Sequence, residues 1–189
     1  MTGIMTGRRT LILGAASIAA LTATGRAAHA ASRSELTRSG SDSLATLYRV
    51  QPSASVLASK AAGILIFPNI VKAGFVIGAQ SGNGVLFEDK VPTAFYNLSS
   101  ASFGLEAGVQ SFAYALFFMN HGTLHYLNQS AGWSVGSDPN IVILDKGAAA
   151  SVDTTTLTKD VYAIPFSQQG LMGGVSLQGS KITQIHPDA

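Results

Sequence analysis

Gly63-Ile64-Leu65-Ile66-Phe67-Pro68-Asn69 marks the point where the chain changes periodicity. Before it, Leu44, Leu47, Tyr48 and Gln51 stand at i, i+3, i+4 and i+7, the stripe of an amphipathic helix. Ser41-Asp42 offers capping oxygens for that helix. Pro52 ends it and opens a second one through Val56, Leu57 and Ala61, which Gly63 stops. From Gly63 onward a β-branched apolar run begins, closed by Pro68-Asn69. Segments 72–80 and 84–88 flank Ser81-Gly82-Asn83, whose composition suits a hairpin turn. Glu88-Asp89-Lys90 is a polar turn leading into a strand over 93–98. Segments 102–110 and 112–119 read as two more strands and 121–130 as a helix. Short strands over 134–136, 141–144, 151–156, 160–166, 171–177 and 181–185 complete the pattern. Gly74, Gly78, Gly104 and Gly108 fall inside strands, where glycine marks curvature or close backbone approach. The expected fold is α+β and mainly β, with N-terminal helices packed on a strongly curved antiparallel sheet or barrel of many short strands, plus one later helix.

The first thirty residues form a different unit. Arg8-Arg9 make a positive start, an uncharged apolar stretch spans 11–24, and Ala28-His29-Ala30 is a small-x-small site. That is the pattern of a cleavable export signal. The apolar stretch falls short of the roughly 20 residues a transmembrane helix needs. Arg8-Arg9-Thr10-Leu11 resembles a twin-arginine signal, and Arg26 near the cleavage site suits that route. The expected organisation is a signal over 1–30, a flexible lead over 31–40 and one domain over 41–189. The expected location is the periplasm or cell envelope, peripheral to the membrane.

Composition narrows the function. The full chain carries twelve Lys and Arg against ten Asp and Glu. Removing Arg8, Arg9 and Arg26 leaves nine against ten, a formal charge of −1. The basic pI therefore belongs to the signal, and nucleic-acid binding is excluded as an expectation. There is no cysteine, so no disulfide and no thiolate metal site. Only 12% of residues are charged and 47% are hydrophobic, which points to a partner with an apolar surface.

Candidate chemistry is sparse. His121-Gly122-Thr123-Leu124-His125 puts two imidazoles four apart, yet Gly122 stands where a zincin has its glutamate. No metal ligand set is expected. Gly179-Ser180-Lys181 has the wrong order for a phosphate loop, which needs Gly-Lys followed by a hydroxyl. Gly174-Val175-Ser176-Leu177-Gln178-Gly179 is one residue too long for a nucleophile elbow. Asp145, Asp153 and Asp160 are isolated carboxylates. No catalytic residue and no cofactor are expected.

Five further motifs stand in a common order: Ala62-Gly63-Ile64-Leu65-Ile66-Phe67-Pro68, Lys72-Ala73-Gly74-Phe75, Gly82-Asn83-Gly84-Val85, Ser102-Phe103-Gly104-Leu105 with Gly108-Val109-Gln110, and Gly170-Leu171-Met172-Gly173-Gly174-Val175-Ser176-Leu177-Gln178-Gly179-Ser180. Over 44–185 the chain resembles SYLF domains. The resemblance implies phosphoinositide and membrane binding, actin binding in some members, and no enzymatic activity. Ala62 stands where eukaryotic members usually have Lys, and Glu106 where Gln is common. These departures shift the expected ligand to the anionic phospholipids of a bacterial envelope.

The expected function is therefore an exported, non-enzymatic protein that binds anionic phospholipid membranes peripherally. Leu44, Leu47 and Tyr48 would insert apolar side chains while Arg49, Lys60 and Lys72 contact lipid phosphates. Burying each apolar side chain contributes about 1.5–3 kcal/mol, against roughly 1 for each nearby cation, so insertion should outweigh charge. Lys72 is also readable as an edge lysine that guards the sheet against pairing. Phe117 and Phe118 are adjacent, so in a strand they face opposite sides and one could form a membrane-facing patch. The alternative is an envelope structural protein whose apolar face is covered by another subunit. An outer-membrane barrel would need more regular strands of about ten residues.

Overall fold

The computed structural model describes residues 31–188 apart from 75–76, 104–107, 130–131, 136–140, 145–156 and 171–178. The export signal expected over 1–30, the strands expected over 151–156 and 171–177, Gly104 and Glu106 lie outside the described residues.

Two helices open the described chain, α1 (Arg33–Val50) and α2 (Ala54–Lys60). The start of α1 corrects the flexible lead over 31–40 and the cap at Ser41-Asp42. The Ser32 hydroxyl caps the helix instead, accepting from the Glu35 N–H at 3.3 Å. The Arg33 N–H and Nε donate to the carbonyls of Asp188 and Pro187, each at 3.0 Å. These bonds tie the first turn to the far end of the chain, a tertiary contact that local composition does not show. Leu36 and Gly40 are buried within this segment.

Most of the strands are longer than the sequence suggested. They are β1 (Gly63–Gly74), β2 (Ile77–Glu88), β3 (Val91–Phe103), β4 (Gly108–Phe118), β5 (Trp133–Val135), β6 (Ile141–Ile143), β7 (Val161–Gly170) and β8 (Ser180–Ile185). Helix α3 (His121–Gln129) stands between β4 and β5. The strands form one curled sheet in the order β5-β8-β3-β2-β1-β4-β7-β6. Every pairing is antiparallel except β6 with β7. The α+β, mainly β expectation holds, with that one parallel edge making the sheet mixed.

Two turn assignments move. Ser81-Gly82-Asn83 is mid-strand, in register with Ser99, Leu98 and Asn97 of β3; β1 ends at Gly74 and β2 begins at Ile77. Segment 102–110 divides between β3 and β4. The polar turn holds: Asp89 and Lys90 take φ of 48° and 68°, the left-handed pair that a two-residue hairpin requires. Pro68-Asn69 does not close β1. The register with both β2 and β4 shifts across it, and the strand continues through a bulge.

That bulge adds one residue and so changes which side chains share a face. Leu65, Phe67, Ile70 and Lys72 all lie on the face that packs against α3, with Leu86, Tyr96, Leu98, Phe112, Tyr114, Leu116 and Phe118. Leu124 and Leu127 of α3 and Trp133 cover it. Ile66, Val85, Ala115, Phe117, Tyr162 and Ile164 lie on the other face, under Leu47 and Leu57 of α1 and α2. Asn120 caps α3, its Oδ1 accepting from the N–H and hydroxyl of Thr123 at 2.8 and 2.9 Å. Asn120 Nδ2 in turn donates to Asp160 at 2.7 Å, which gives that carboxylate a structural role. The Tyr96 hydroxyl donates to Asn128 of α3; burial first, then the nearby Glu88 charge, push its pKa up to about 12.

Candidate functional site

Where α1 and α2 meet the opening of β1, their packing leaves a groove of about 770 Å³. Leu44, Ala45 and Tyr48 line it from α1, Ala58 and Ser59 from α2, and Ala61, Ala62 and Ile64 from the entry to β1. Phe87 of β2 forms the far wall, and Asp89 and Lys90 of the β2–β3 turn complete the rim. Leu44, Tyr48, Ala58, Ala61 and Ile64 are half-buried: each packs on the core with one side and offers the other to the groove. A volume of this size matches small-molecule sites in general, which are mostly apolar with a few polar groups at the edge. Burial raises the Tyr48 pKa above the ordinary phenol value, so the ring presents a neutral hydroxyl at physiological pH.

The helical stripe read from the sequence divides in two. Leu44 and Tyr48 reach the groove, while Leu47, one turn on from Leu44, is fully buried under the helix pair. Arg49 is exposed on α1 and does not line the groove. Lys60 is exposed at the end of α2, next to the lining residue Ser59. Phe117 and Phe118 do face opposite sides of β4, and both are fully buried. Neither forms a membrane-facing patch. Lys72 is 8% exposed and lies on a strand with β2 on one side and β4 on the other. The bulge at Pro68-Asn69 turned it inward, and a central strand has no edge to guard, so the edge-lysine reading is corrected.

The sequence reading missed Ile64, Phe87, Ala58 and Lys90 as lining residues. The Glu88-Asp89-Lys90 turn was read as a turn, but nothing local said that it folds toward α1. Among the described residues, no cluster of three or more His, Asp or Glu could hold a metal ion. His121 and His125 are exposed on α3. Among the described residues, no helix is long and apolar enough to cross a membrane.

The curled sheet, the glycines within its strands and the helix pair across one face are the features that the sequence motifs anticipated. Residues 99–187 match the family described as Ysc84, Las17-binding protein actin regulator, the SYLF family. Over those residues, just under half of the chain, it is similar to the SYLF family. The match covers the last five residues of β3 and the elements from β4 to β8. The groove on α1, α2, β1 and β2 lies in the part of the chain that precedes it. No curated protein matches the chain.

Proposed function

We propose that this SYLF-like protein is an exported, non-enzymatic lipid-binding protein that associates peripherally with anionic phospholipid membranes. The observation that carries the reading is the groove. Half-buried apolar side chains on two helices and at the start of the central strand β1 open onto solvent, with Lys90 on the rim and Lys60 next in sequence to the lining residue Ser59. An acyl chain laid along Leu44, Tyr48, Ala58 and Ile64 removes apolar surface from water on both partners. The two lysines stand where a phosphate would emerge. The lipid-binding and actin-regulating character of the family supports the general role. Leu47 is committed to the core, so the helix binds through one side of the groove and does not insert its whole stripe. Hydrophobic contact then supplies most of the affinity, and binding persists at high salt, where charge contacts are screened.

Ala45 is an exposed lining residue on α1, so Ala45→Glu adds a carboxylate without disturbing the core. The expected result is about tenfold weaker partitioning of the purified protein onto vesicles rich in phosphatidylglycerol, equivalent to about 1.4 kcal/mol. Thermal unfolding stays within a degree or two of wild type, on the order expected for a surface change. Unchanged partitioning by a folded Ala45→Glu protein would sink the groove. A monodisperse oligomer that ignores vesicles would favour an envelope interaction protein, with another subunit covering this face.

Export is part of the same proposal. Arg8-Arg9, the apolar stretch over 11–24 and Ala28-His29-Ala30 support it. Intact mass of the protein recovered from the periplasm is expected to correspond to a chain beginning at Ala31, one residue before the Ser32 cap of α1. A mass retaining residues 1–30 overturns the cleavage.

A further inference from the structure

The bond between Ala30 and Ala31, where the export signal is proposed to be cut, stands almost against the folded domain. Ser32 has extended backbone, with φ of −66° and ψ of 162°, and is the cap of α1. Its carbonyl oxygen accepts from the Leu36 N–H at 2.9 Å, and its hydroxyl accepts from the Glu35 N–H at 3.3 Å. Arg33 is the first helical residue. Ala31 alone therefore separates the bond from backbone that is committed to the helix.

Helix ends fray unless something holds them. The N–H groups of a first turn have no partner inside their own helix. Here the Arg33 N–H finds one in the Asp188 carbonyl at 3.0 Å, and Arg33 Nε donates to the Pro187 carbonyl at 3.0 Å. The guanidinium carbon also lies 6.0 Å from the centroid of the Phe95 ring, within cation–π reach. Phe95 is in register with Ile185, the last residue of β8. The sheet and the residues that follow β8 thus grip the same side chain. Leu36, one turn on, is 6% exposed, so unwinding beyond that point exposes core.

An endopeptidase takes its substrate as extended chain on both sides of the bond it cuts, and hydrogen-bonded helical backbone must open before it is cut. We propose that the first turn of α1, latched to Pro187 and Asp188, controls removal of the export signal, an inference that rests on the export reading above. In the folded precursor the peptidase cuts only while the latch is open. The step itself is hydrolysis: one water adds across the Ala30–Ala31 peptide bond, its hydroxyl going to the Ala30 carbonyl carbon and its proton to the Ala31 nitrogen. A chain without cysteine waits for no disulfide and can fold before it crosses the membrane. Such a chain keeps its signal longer than one cut while still unfolded.

The test is the initial rate at which purified signal peptidase, in detergent micelles, converts the purified precursor of residues 1–189 to a product of the mass of residues 31–189. Two variants leave the signal and Ala28-His29-Ala30-Ala31 untouched. Inserting Gly-Ser-Gly-Ser between Ala31 and Ser32 moves the bond away from the helix. Deleting residues 187–189 removes both latch acceptors far from the cut in sequence. Each is expected to speed cleavage about tenfold, the order set by losing two net hydrogen bonds when cutting follows the opened population. The two changes combined are expected to act no faster than the insertion alone, because both relieve one restraint. Should the deletion abolish cooperative thermal unfolding, the insertion decides by itself. A wild-type rate in the insertion variant, or in a deletion variant that still unfolds cooperatively, overturns the latch and leaves the cleavage standing. No cut in any form, the insertion variant included, sinks the cleavage reading and the latch with it.

Discussion

Phe117→Ala and Phe118→Ala are each expected to lower the free energy of unfolding by about 3–5 kcal/mol, the range for truncating a fully buried phenylalanine. The two residues are neighbours on β4 but report on different layers. Phe117 packs with Leu47, Leu57 and Ile66 beneath the helix pair. Phe118 packs on the other face, with its ring centroid 5.7 Å from that of Trp133. Urea unfolding followed by far-ultraviolet circular dichroism should show a lower midpoint for both single mutants with little change in slope. Tryptophan fluorescence should separate them, because only Phe118 touches the Trp133 ring. Were either phenylalanine presented to a bilayer, its truncation would leave stability nearly unchanged and weaken vesicle binding instead. A loss below about 1 kcal/mol for either residue would place that side chain at the surface, within the range of surface substitutions.

The same pair shows how far the sequence could be read. Strand alternation correctly placed Phe117 and Phe118 on opposite faces. Which faces are covered depends on α1, α2 and α3 returning over the sheet, and those contacts join residues far apart in the chain. The helical stripe has the same character. Its spacing identified Leu44, Leu47 and Tyr48 as one side of a helix, yet that side meets the sheet obliquely. Leu47 faces the core, while Leu44 and Tyr48 face the groove that α2 and the β2–β3 turn complete. Lys72 failed for a different reason. One extra residue at Pro68-Asn69 reversed the alternation beyond it, and a bulge leaves only a weak mark in sequence because Pro and Asn also end strands. The lysine then joined Gln80 and Gln110, partners fixed by register across three strands.

Gly84→Ala is expected to destabilise the fold by about 3 kcal/mol, at the upper end of the cost of overpacking a core, and Gly84→Val by more. The sequence Ser81-Gly82-Asn83-Gly84 has the composition of a turn, yet β2 runs straight through it to Glu88. Turn geometry is not what demands glycine at Gly84. A Cβ there would stand 2.5 Å from the Ile66 carbonyl oxygen and 2.6 Å from Cδ1 of Phe67. Gly82 meets the same strand, 2.6 Å from the Asn69 carbonyl. Both contacts fall beside the bulge at Pro68-Asn69, where β1 coils toward β2. A carbonyl oxygen inside a paired central strand cannot rotate away, so the strands must separate or the Phe67 ring must leave its place in the aromatic core. Alanine gains roughly 0.5–1 kcal/mol over glycine in a strand through lost unfolded-state freedom, too little to offset that displacement. Ala79→Val is the internal control: it lies on the same strand at an exposed position and should change stability by less than about 0.5 kcal/mol. Thermal unfolding of the three variants checks the ranking. Wild-type stability in Gly84→Ala would mean that the sheet yields there, and that close strand approach is not what holds its curl.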